Sequence, residues 1–364
     1  MGHGLDPIEG AAGASVPPVH DLACVIHLHS VHSDGTGTVR QIVRAGRRAG
    51  VDVVMLTDHD TLAAKRAGDE GWHDGVLLLV GEEVSPPRRD HCLAFGVDAE
   101  IDRDLPPAEF LRAIRAAGGI SFAAHPWSRG SRRFERAGTG MPFAALDSTE
   151  LDGVELWSFV TDTAETFESL REALRFVVAP GRVLEHPPER NLREWDRLCR
   201  TRRVVAIGGL DAHQIGRRVG PVVPFRLMAY RRSFRYLRTH VLCDAPPRGE
   251  LEHDREQVYS ALREGRCYLA MDSLGAPRGF AFEADGVAMG AEAPAGRRAF
   301  RVRVPERAEL RLLRDGALVA GATDAAELAH EDSAPGVYRA EVRRRAHGRS
   351  RTWIVSNPVY VRSS

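Results

Sequence analysis

The chain has 364 residues, 43% hydrophobic and 27% charged, with 50 basic and 50 acidic residues and a formal net charge of zero. That length exceeds one ordinary domain, and the composition is that of a globular protein rather than a disordered or fibrous one. Zero net charge argues against nucleic acid gripped through a broad basic surface, and Lys65, the only lysine, leaves a single candidate for Schiff-base chemistry.

Five cysteines, Cys24, Cys92, Cys199, Cys243 and Cys267, are scattered, odd in number and never spaced as CxxC. This argues against a disulfide framework or a thiolate zinc site and fits free thiols in a reducing compartment. Met1–Pro18 has neither a basic n-region nor an apolar h-region, and no stretch approaches the roughly 18 apolar residues of a membrane span. We expect a cytoplasmic protein without a signal peptide or membrane partner.

Residues 1–20, rich in Gly, Ala and Pro, read as a loose tail. Short apolar runs then alternate with helical patterns. The runs Ala23–Ile26, Val51–Leu56, Val76–Val80, Ile120–Ala124, Val154–Trp157 and Val204–Ile207 read as buried strands, and Val39–Ala49, Pro107–Ala117 and Leu192–Arg203 as helices. Such alternation predicts parallel strands with crossover helices, closed into a β/α barrel over residues 21–275. After Gly275 the period changes to two. Phe300–Val304, Glu309–Leu312, Val337–Val342 and Trp353–Val355 predict a small antiparallel β-sandwich over residues 276–364.

The chemistry lies in what ends each run. The first ends His27-Leu28-His29, the second Thr57-Asp58-His59, the third Gly81-Glu82-Glu83 and the next His125-Pro126, and the last reaches Gly209-Leu210-Asp211-Ala212-His213. A short run also begins at His91. A lone HxH is more often packing or surface than ligand, and a single Glu is usually solvated. Six such signals on successive strands are another matter, because a barrel carries its active site at the strands' C-terminal ends. On a strand, residues i and i+2 share a face, so His27 should point with His29, and Asp211 with His213. Imidazole and carboxylate together suit Zn, Mn or Fe better than Ca or Cu(I).

His27-x-His29, Ser33-Asp34-Gly35, Thr57-Asp58-His59-Asp60, Gly81-x-Glu83, His91, Ala124-His125-Pro126 and Asp211-x-His213 together resemble the PHP (polymerase and histidinol phosphatase) superfamily of metal-dependent phosphoesterases. The resemblance implies a distorted seven-stranded β/α barrel and two to three divalent transition metal ions. It implies a first ion on His27, His29, Glu83 and Asp211, and a second on His91, His125 and a bridging Glu83. The third would take Asp34, His59 and His213. Asp58 would stand behind the ligands and orient a histidine. The Gly-x-Glu spacing selects Glu83 over its neighbour Glu82. His32 and His73 read as surface or outlying, and His3, His20, His186, His240, His253, His330 and His347 have no ligand context. Arg263-Glu264-Gly265-Arg266-Cys267-Tyr268 and Ser356-Asn357-Pro358-Val359-Tyr360-Val361 resemble the CehA/McbA-type subgroup, some members of which are linked to carbamate-ester hydrolysis.

Two cations bridged by Glu83 would lower the pKa of a shared water enough for hydroxide to exist near neutral pH. No nucleophilic Ser or Cys is then required, and neither a Gly-x-Ser-x-Gly elbow nor a Walker loop occurs. Glu83 and Asp211, backed by Asp58, are the expected catalytic carboxylates. Arg129, Arg132, Arg133, Arg217 and Arg218 are candidate clamps for a substrate phosphate. The favoured expectation is a phosphoesterase acting on a small phosphomonoester or phosphodiester. A carboxylic or carbamate esterase at the same metals is the second reading, and a non-catalytic metal-bound interaction module the third.

Overall fold

The computed structural model describes residues 19–130, 140–214, 216 and 228–362. The first half holds β1 (His20–Ile26), α1 (Val39–Ala49), β2 (Val53–His59), α2 (Ala63–Arg66), β3 (Gly71–His73), β4 (Val76–Val84), β5 (Cys92–Phe95), α3 (Pro107–Ala116), β6 (Ile120–Ala123) and β7 (Gly153–Ser158). Next come α4 (Thr161–Ala164), α5 (Leu170–Val178), α6 (Glu189–Thr201), β8 (Val205–Gly209), α7 (Tyr230–Ser233), β9 (Leu237–Cys243), α8 (Leu251–Arg263) and β10 (Cys267–Met271). The chain finishes with β11 (Ala281–Ala284), β12 (Val287–Ala288), β13 (Glu292–Pro294), β14 (Arg298–Arg314), β15 (Ala317–Asp332), β16 (Gly336–Ala346), β17 (Arg349–Ser356) and β18 (Val359–Arg362). No helix among the described residues is long and apolar enough to cross a membrane. All five cysteines are free and buried.

Helix α1 shows how local sequence sets these bounds. Thr38 and Gln41 form a reciprocal capping box at its start, Gly50 closes it in the left-handed region, and Val39, Ile42, Val43 and Gly46 face inward. The strands it covers are buried on both faces, as β4 is over all nine of its residues. Alternate residues feed two cores. Val54, Leu56, Leu78 and Val80 pack outward with the helices, while Val53, Met55, Leu77 and Leu79 pack inward with Ile26, Phe122 and Ile207. Helix α8 joins the inner core through Val258, Tyr259 and Leu262, and Tyr259 meets Phe95 at the far end of β5.

The pairing is not all parallel, which corrects the sequence expectation. β1, β2 and β4 run parallel, as do β6, β7 and β8, but β5 is antiparallel to both β4 and β6. The β4–β5 connection is too short for a crossover helix, so the chain turns back as a hairpin. β9 and β10, which periodicity did not reveal, add antiparallel strands, β9 against β1 and β10 against β9. β9 is fully buried yet carries Arg238, Thr239 and His240, which hid its apolar signal.

One edge of β8 is met largely by side chains. Val204 N–H donates to Tyr360 Oη at 3.1 Å, Ala206 N–H to Asn357 Oδ1 at 2.8 Å and Gly208 N–H to Thr239 Oγ1 at 2.9 Å. Just beyond, Leu210 N–H donates to Ile26 O and His29 N–H to Ala212 O, so the chain after β8 lies against the chain after β1. Buried backbone donors require such partners, and this gives the Ser356–Val361 string a structural role.

Residues after Gly275 form mostly antiparallel sheet, with β13–β18 a parallel pair. β10 pairs with β17, and Leu242, Tyr268 and Ala270 share a core with Phe282, Phe300, Tyr338 and Trp353. The sheet and its core therefore run across residue 275. β14 unites two runs that look separate in sequence, and the alanine-rich, largely exposed β15 carries no strand pattern of its own.

Candidate metal centre

The residues that end the apolar runs gather at one place. His27, His125 and Asp211 lie just past their strands in left-handed backbone, with φ of 64°, 31° and 49°. Asp and His tolerate this region better than most residues, and such backbone clusters at functional sites. The expectation that His27 and Asp211 belong to regular strand is corrected accordingly: turns, not pleats, aim them. His91 immediately precedes β5, and because β5 is antiparallel its N-terminal end falls beside the C-terminal ends of its neighbours.

Glu83 is at the middle, 1% exposed. Its Oε1 is 2.8 Å from His91 Nδ1 and 3.4 Å from His125 Nε2. Its Oε2 is 3.1 Å from His27 Nε2, 3.3 Å from His29 Nε2 and 3.3 Å from His59 Nδ1. Asp211 Oδ1 lies 3.6 Å from His27 Nε2, 3.7 Å from His29 Nε2 and 3.5 Å from His213 Nδ1. Asp34, largely exposed, approaches His213 Nε2 at 3.2 Å and His59 Nε2 at 3.7 Å. Ligand-type atoms converge in four overlapping groups: His29–Asp34–His59–His213, His27–Glu83–His125, His27–His29–Asp211 and His59–Glu83–His91. Among the described residues none of these groups draws on residues after His213. Glu82 turns away and accepts Ile101 N–H at 2.7 Å, with burial raising its carboxyl to about 7.

The donor set fits divalent cations. Both ring nitrogens of His29 and Nδ1 of His125 are buried without a hydrogen-bond partner. Two ligand atoms on one tetrahedral ion at roughly 2.0–2.1 Å stand about 3.3 Å apart, which is the spacing seen around Glu83 Oε2. Burial, helped by the neighbouring His213 and His27, lowers the His29 pKa to about 4, leaving it a neutral ring able to donate to a cation. Burial opposes ionisation of Glu83, but the histidines His27, His125 and His29 hold its carboxyl well below the usual range.

Supporting contacts differ from the expectation in one respect. Among the described residues no histidine bonds Asp58. Its carboxylate accepts Ser30 N–H, Ser30 Oγ–H and Ser33 Oγ–H, each at 2.6 Å, and so staples the turn that carries His29 and Asp34. Gly35 completes that turn, since a Cβ there would sit 2.1 Å from His29 O. The carboxylate beside a histidine is Glu155 on β7, 3.0 Å from His27 Nδ1, a residue that sequence reasoning missed. An acid inside the apolar run Val154–Trp157 was the available signal. Thr161 Oγ1 donates to Asp211 Oδ2, and Tyr230 Oη lies 2.6 Å from His29 O.

A cavity of about 290 Å³ opens over the centre, walled by Ser128, Gly130, Met141, Val160, Thr161, Ala164 and Glu165. Glu165 fixes one wall by accepting the backbone N–H groups of Arg129 and Gly130. The Arg129 side chain is exposed and is not among those lining the cavity. Arg132, Arg133, Arg217 and Arg218 lie outside the described residues.

No family model matches the chain. Protein MJ1587 of Methanocaldococcus jannaschii, itself uncharacterized, is 26% identical over 153 residues, which cover 36% of this chain and 80% of that one. A phosphoribosyl 1,2-cyclic phosphate 1,2-diphosphodiesterase of Eggerthella lenta is 37% identical over 79 residues, 20% of this chain and 30% of the relative's length. Among solved structures, a two-domain Bacteroides vulgatus protein containing a predicted PHP-like metal-dependent phosphoesterase aligns over 97% of this chain and 100% of its own, at 15% identity and a TM-score of 0.46.

Proposed function

We propose that the chain is a metal-dependent hydrolase of the PHP type, acting as a phosphoesterase on a small phosphomonoester or phosphodiester. The observation that carries this is Glu83, a buried carboxylate with five imidazoles around it whose two oxygens address different sets. One oxygen faces His27, His29 and His59, the other His91 and His125, as a carboxylate shared by two ions requires. His27, His29, Glu83 and Asp211 would hold one ion, and Glu83, His91 and His125 a second. Asp34, His59 and His213 would hold a third, giving a trinuclear centre of Zn, Mn or Fe. The diphosphodiesterase relative supports the phosphate-ester reading over the segment it shares. The accompanying fold reading is a distorted seven-stranded β/α barrel at residues 21–275 with a β-sandwich at 276–364. The contacts between the chain after β8 and the chain after β1 favour it. The C-terminal strings point to the CehA/McbA-type subgroup.

When bound, the cations supply Lewis-acid charge for the ester oxygens and activate a water for attack. The chain's own residues supply placement. Thr161 fixes one oxygen of Asp211 and leaves the other toward His27, His29 and His213. Asp58 holds the His29–Asp34 turn, and Met141, Val160 and Ala164 give the cavity an apolar side against which the ester's organic group would lie. In the net reaction a water oxygen bonds to phosphorus, the P–O ester bond breaks, and the alcohol leaves with a proton. A phosphate ester brings negative charge that a polycationic centre stabilises more than it does a neutral carboxylic or carbamate ester.

The test is metal analysis of protein purified without chelator, followed by kcat/KM for p-nitrophenyl phosphate, its diester and a p-nitrophenyl carboxylic ester. Bound Mn, Fe or Zn and preference for a phosphate ester are expected. Protein that neither retains nor reloads metal overturns the metal reading. A carboxylic ester turned over much faster, after correction for intrinsic reactivity, overturns the phosphate reading alone.

A further inference from the structure

We infer that Glu155 is a positioning residue that holds two ligand-bearing residues at once and sets how tightly the His27/His125 side of the centre takes a divalent cation. The inference rests on the metal reading above. Glu155 is 0% exposed, and among the described residues no Lys or Arg side chain pairs with it. An uncompensated buried carboxylate is costly, so what it contacts matters. Oε1 lies 3.0 Å from His27 Nδ1, and Oε2 accepts His125 N–H at 2.7 Å. Both residues have left-handed backbone, and they come from different strands, β1 and β6. Glu155 belongs to none of the ligand groups, so it acts through them.

Two features of the fold place it. The β7–β8 register slips, with Glu155 opposite Ile207 but Trp157 opposite Gly208, so β7 carries one extra residue there. The extra residue follows Glu155, which itself keeps the ordinary alternation: Val154 and Leu156 lie in the outer core and its partner Ile207 in the inner one, so Glu155 points to the floor of the centre. On β8, a Cβ at Gly209 would stand 1.9 Å from Glu155 Oε1 and 3.1 Å from His27 Cβ. Only glycine leaves space for the carboxylate.

The chemistry follows from imidazole tautomerism. A neutral histidine carries one N–H, and a carboxylate at Nδ1 draws it there. That leaves the Nε2 lone pair of His27 on the side of Glu83 and Asp211, where the ion would be held. Carboxylates behind metal-bound histidines act in this way, and losing one typically weakens metal binding roughly 10–100-fold.

The experiment titrates full-length wild type, Glu155→Gln, Glu155→Ala, Gly209→Ala and the Glu155→Ala/Gly209→Ala double variant with Zn²⁺ or Mn²⁺ against a competing chelator. Thermal stability of each metal-free protein is measured in parallel. Glu155→Gln keeps the shape and removes the charge, and should weaken part of the metal binding on the order of 10–100-fold. The ion of the Asp34–His59–His213 group should bind as before. Gly209→Ala removes no ligand atom and should weaken the same part of the metal binding, chiefly by displacing the carboxylate 1.9 Å from the new Cβ and to a lesser degree by pressing on His27 Cβ at 3.1 Å. In the Glu155→Ala background the Gly209 change should then cost little more, the non-additivity expected of one shared element. Should Glu155→Gln fold poorly, the Gly209 cycle decides, and additive losses there would refute the role. Glu155→Gln that binds every ion as tightly as wild type overturns the inference alone. Wild type that takes up no metal overturns the reading of the centre and this role with it.

Discussion

His91 Nδ1 stands 2.8 Å from Glu83 Oε1, and the two residues flank the turn of an antiparallel hairpin, one on each strand's side. Glu83 lies near the C-terminal end of β4, and His91 comes just before β5 begins. The turn of the chain brings the start of one strand to the finish of the other. A ligand can therefore precede a strand and still join a centre made from strand ends.

Glu83 and Glu82 offer the sharpest contrast between neighbours. Glu83→Gln removes the charge of the carboxylate that meets five histidines and should abolish metal retention and hydrolysis. The loss should exceed the roughly 10–100-fold that a supporting contact costs. Glu82→Gln, whose carboxylate accepts Ile101 N–H on the other face, should retain metal and most activity. Metal content per chain and hydrolysis rate in both variants check this, and the reverse pattern would place the centre on the wrong face of β4.

The Asp58 carboxylate makes three hydrogen bonds to one turn. Asp58→Ala should destabilise the protein by about 1–3 kcal/mol through the buried partners left unsatisfied. It should also weaken the ion nearest Asp34 and the one that His29 helps to hold, while the ion on Glu83, His91 and His125 is kept. Urea denaturation and metal stoichiometry read the two effects separately. Uniform loss of all metal would mean that Asp58 supports more than this turn.

These contrasts show what sequence could and could not carry. His27, His29, His59, Glu83, His125, Asp211 and His213 were legible because each closes an apolar run, where a polar residue has little packing reason to be. Glu155 was not, because it sits inside its run, and a lone acid in a strand ordinarily reads as solvent-facing. Which face of β7 turns inward depends on its pairing with β8, and that partner strand is far away in sequence. The same holds for β5: its apolar run is visible, but its direction follows from how its neighbours pair. Asp58 was visible as a residue, while its partners Ser30 and Ser33 depended on a turn whose shape Gly35 permits.

Chelation should destabilise the whole fold. The His and carboxylate groups around Glu83 are buried, and any ion that binds only the folded state stabilises it by mass action, about 2.7 kcal/mol at a free concentration 100 times its Kd. Adding EDTA should lower Tm, and excess Zn²⁺ or Mn²⁺ should restore it in wild type but not in Glu83→Gln. A Tm indifferent to chelator in protein shown to carry metal would contradict this linkage.

His240, far along the chain from the ligand residues, makes stability depend on alkaline pH. It is almost fully buried on β9, with Nδ1 2.6 Å from Asp21 on β1 and Nε2 3.1 Å from Asp272 after β10. Tyr268 stacks on its ring at 4.8 Å and bonds Asp21, and Arg238 meets Asp272 at 3.0 Å, so two acids, one phenol and one guanidinium face the imidazole. Burial alone would lower its pKa, but the hydrogen bonds and charges of Asp21 and Asp272 outweigh this and raise it to about 9 from the usual 6.5. The folded state thus holds the proton more tightly than the unfolded chain does. The resulting stabilisation is fully present below about pH 6.5 and is lost as pH rises through about 9, with a size on the order of 1–3 kcal/mol. Urea midpoints measured between pH 6 and 10 should fall across that window in wild type. In His240→Gln the slope should flatten, with lower stability at pH 6 and little difference from wild type at pH 10. A wild-type profile that rises between pH 7 and 9, or a variant that keeps the wild-type slope, would show that the Asp21–His240–Asp272 cluster does not hold the proton in this way.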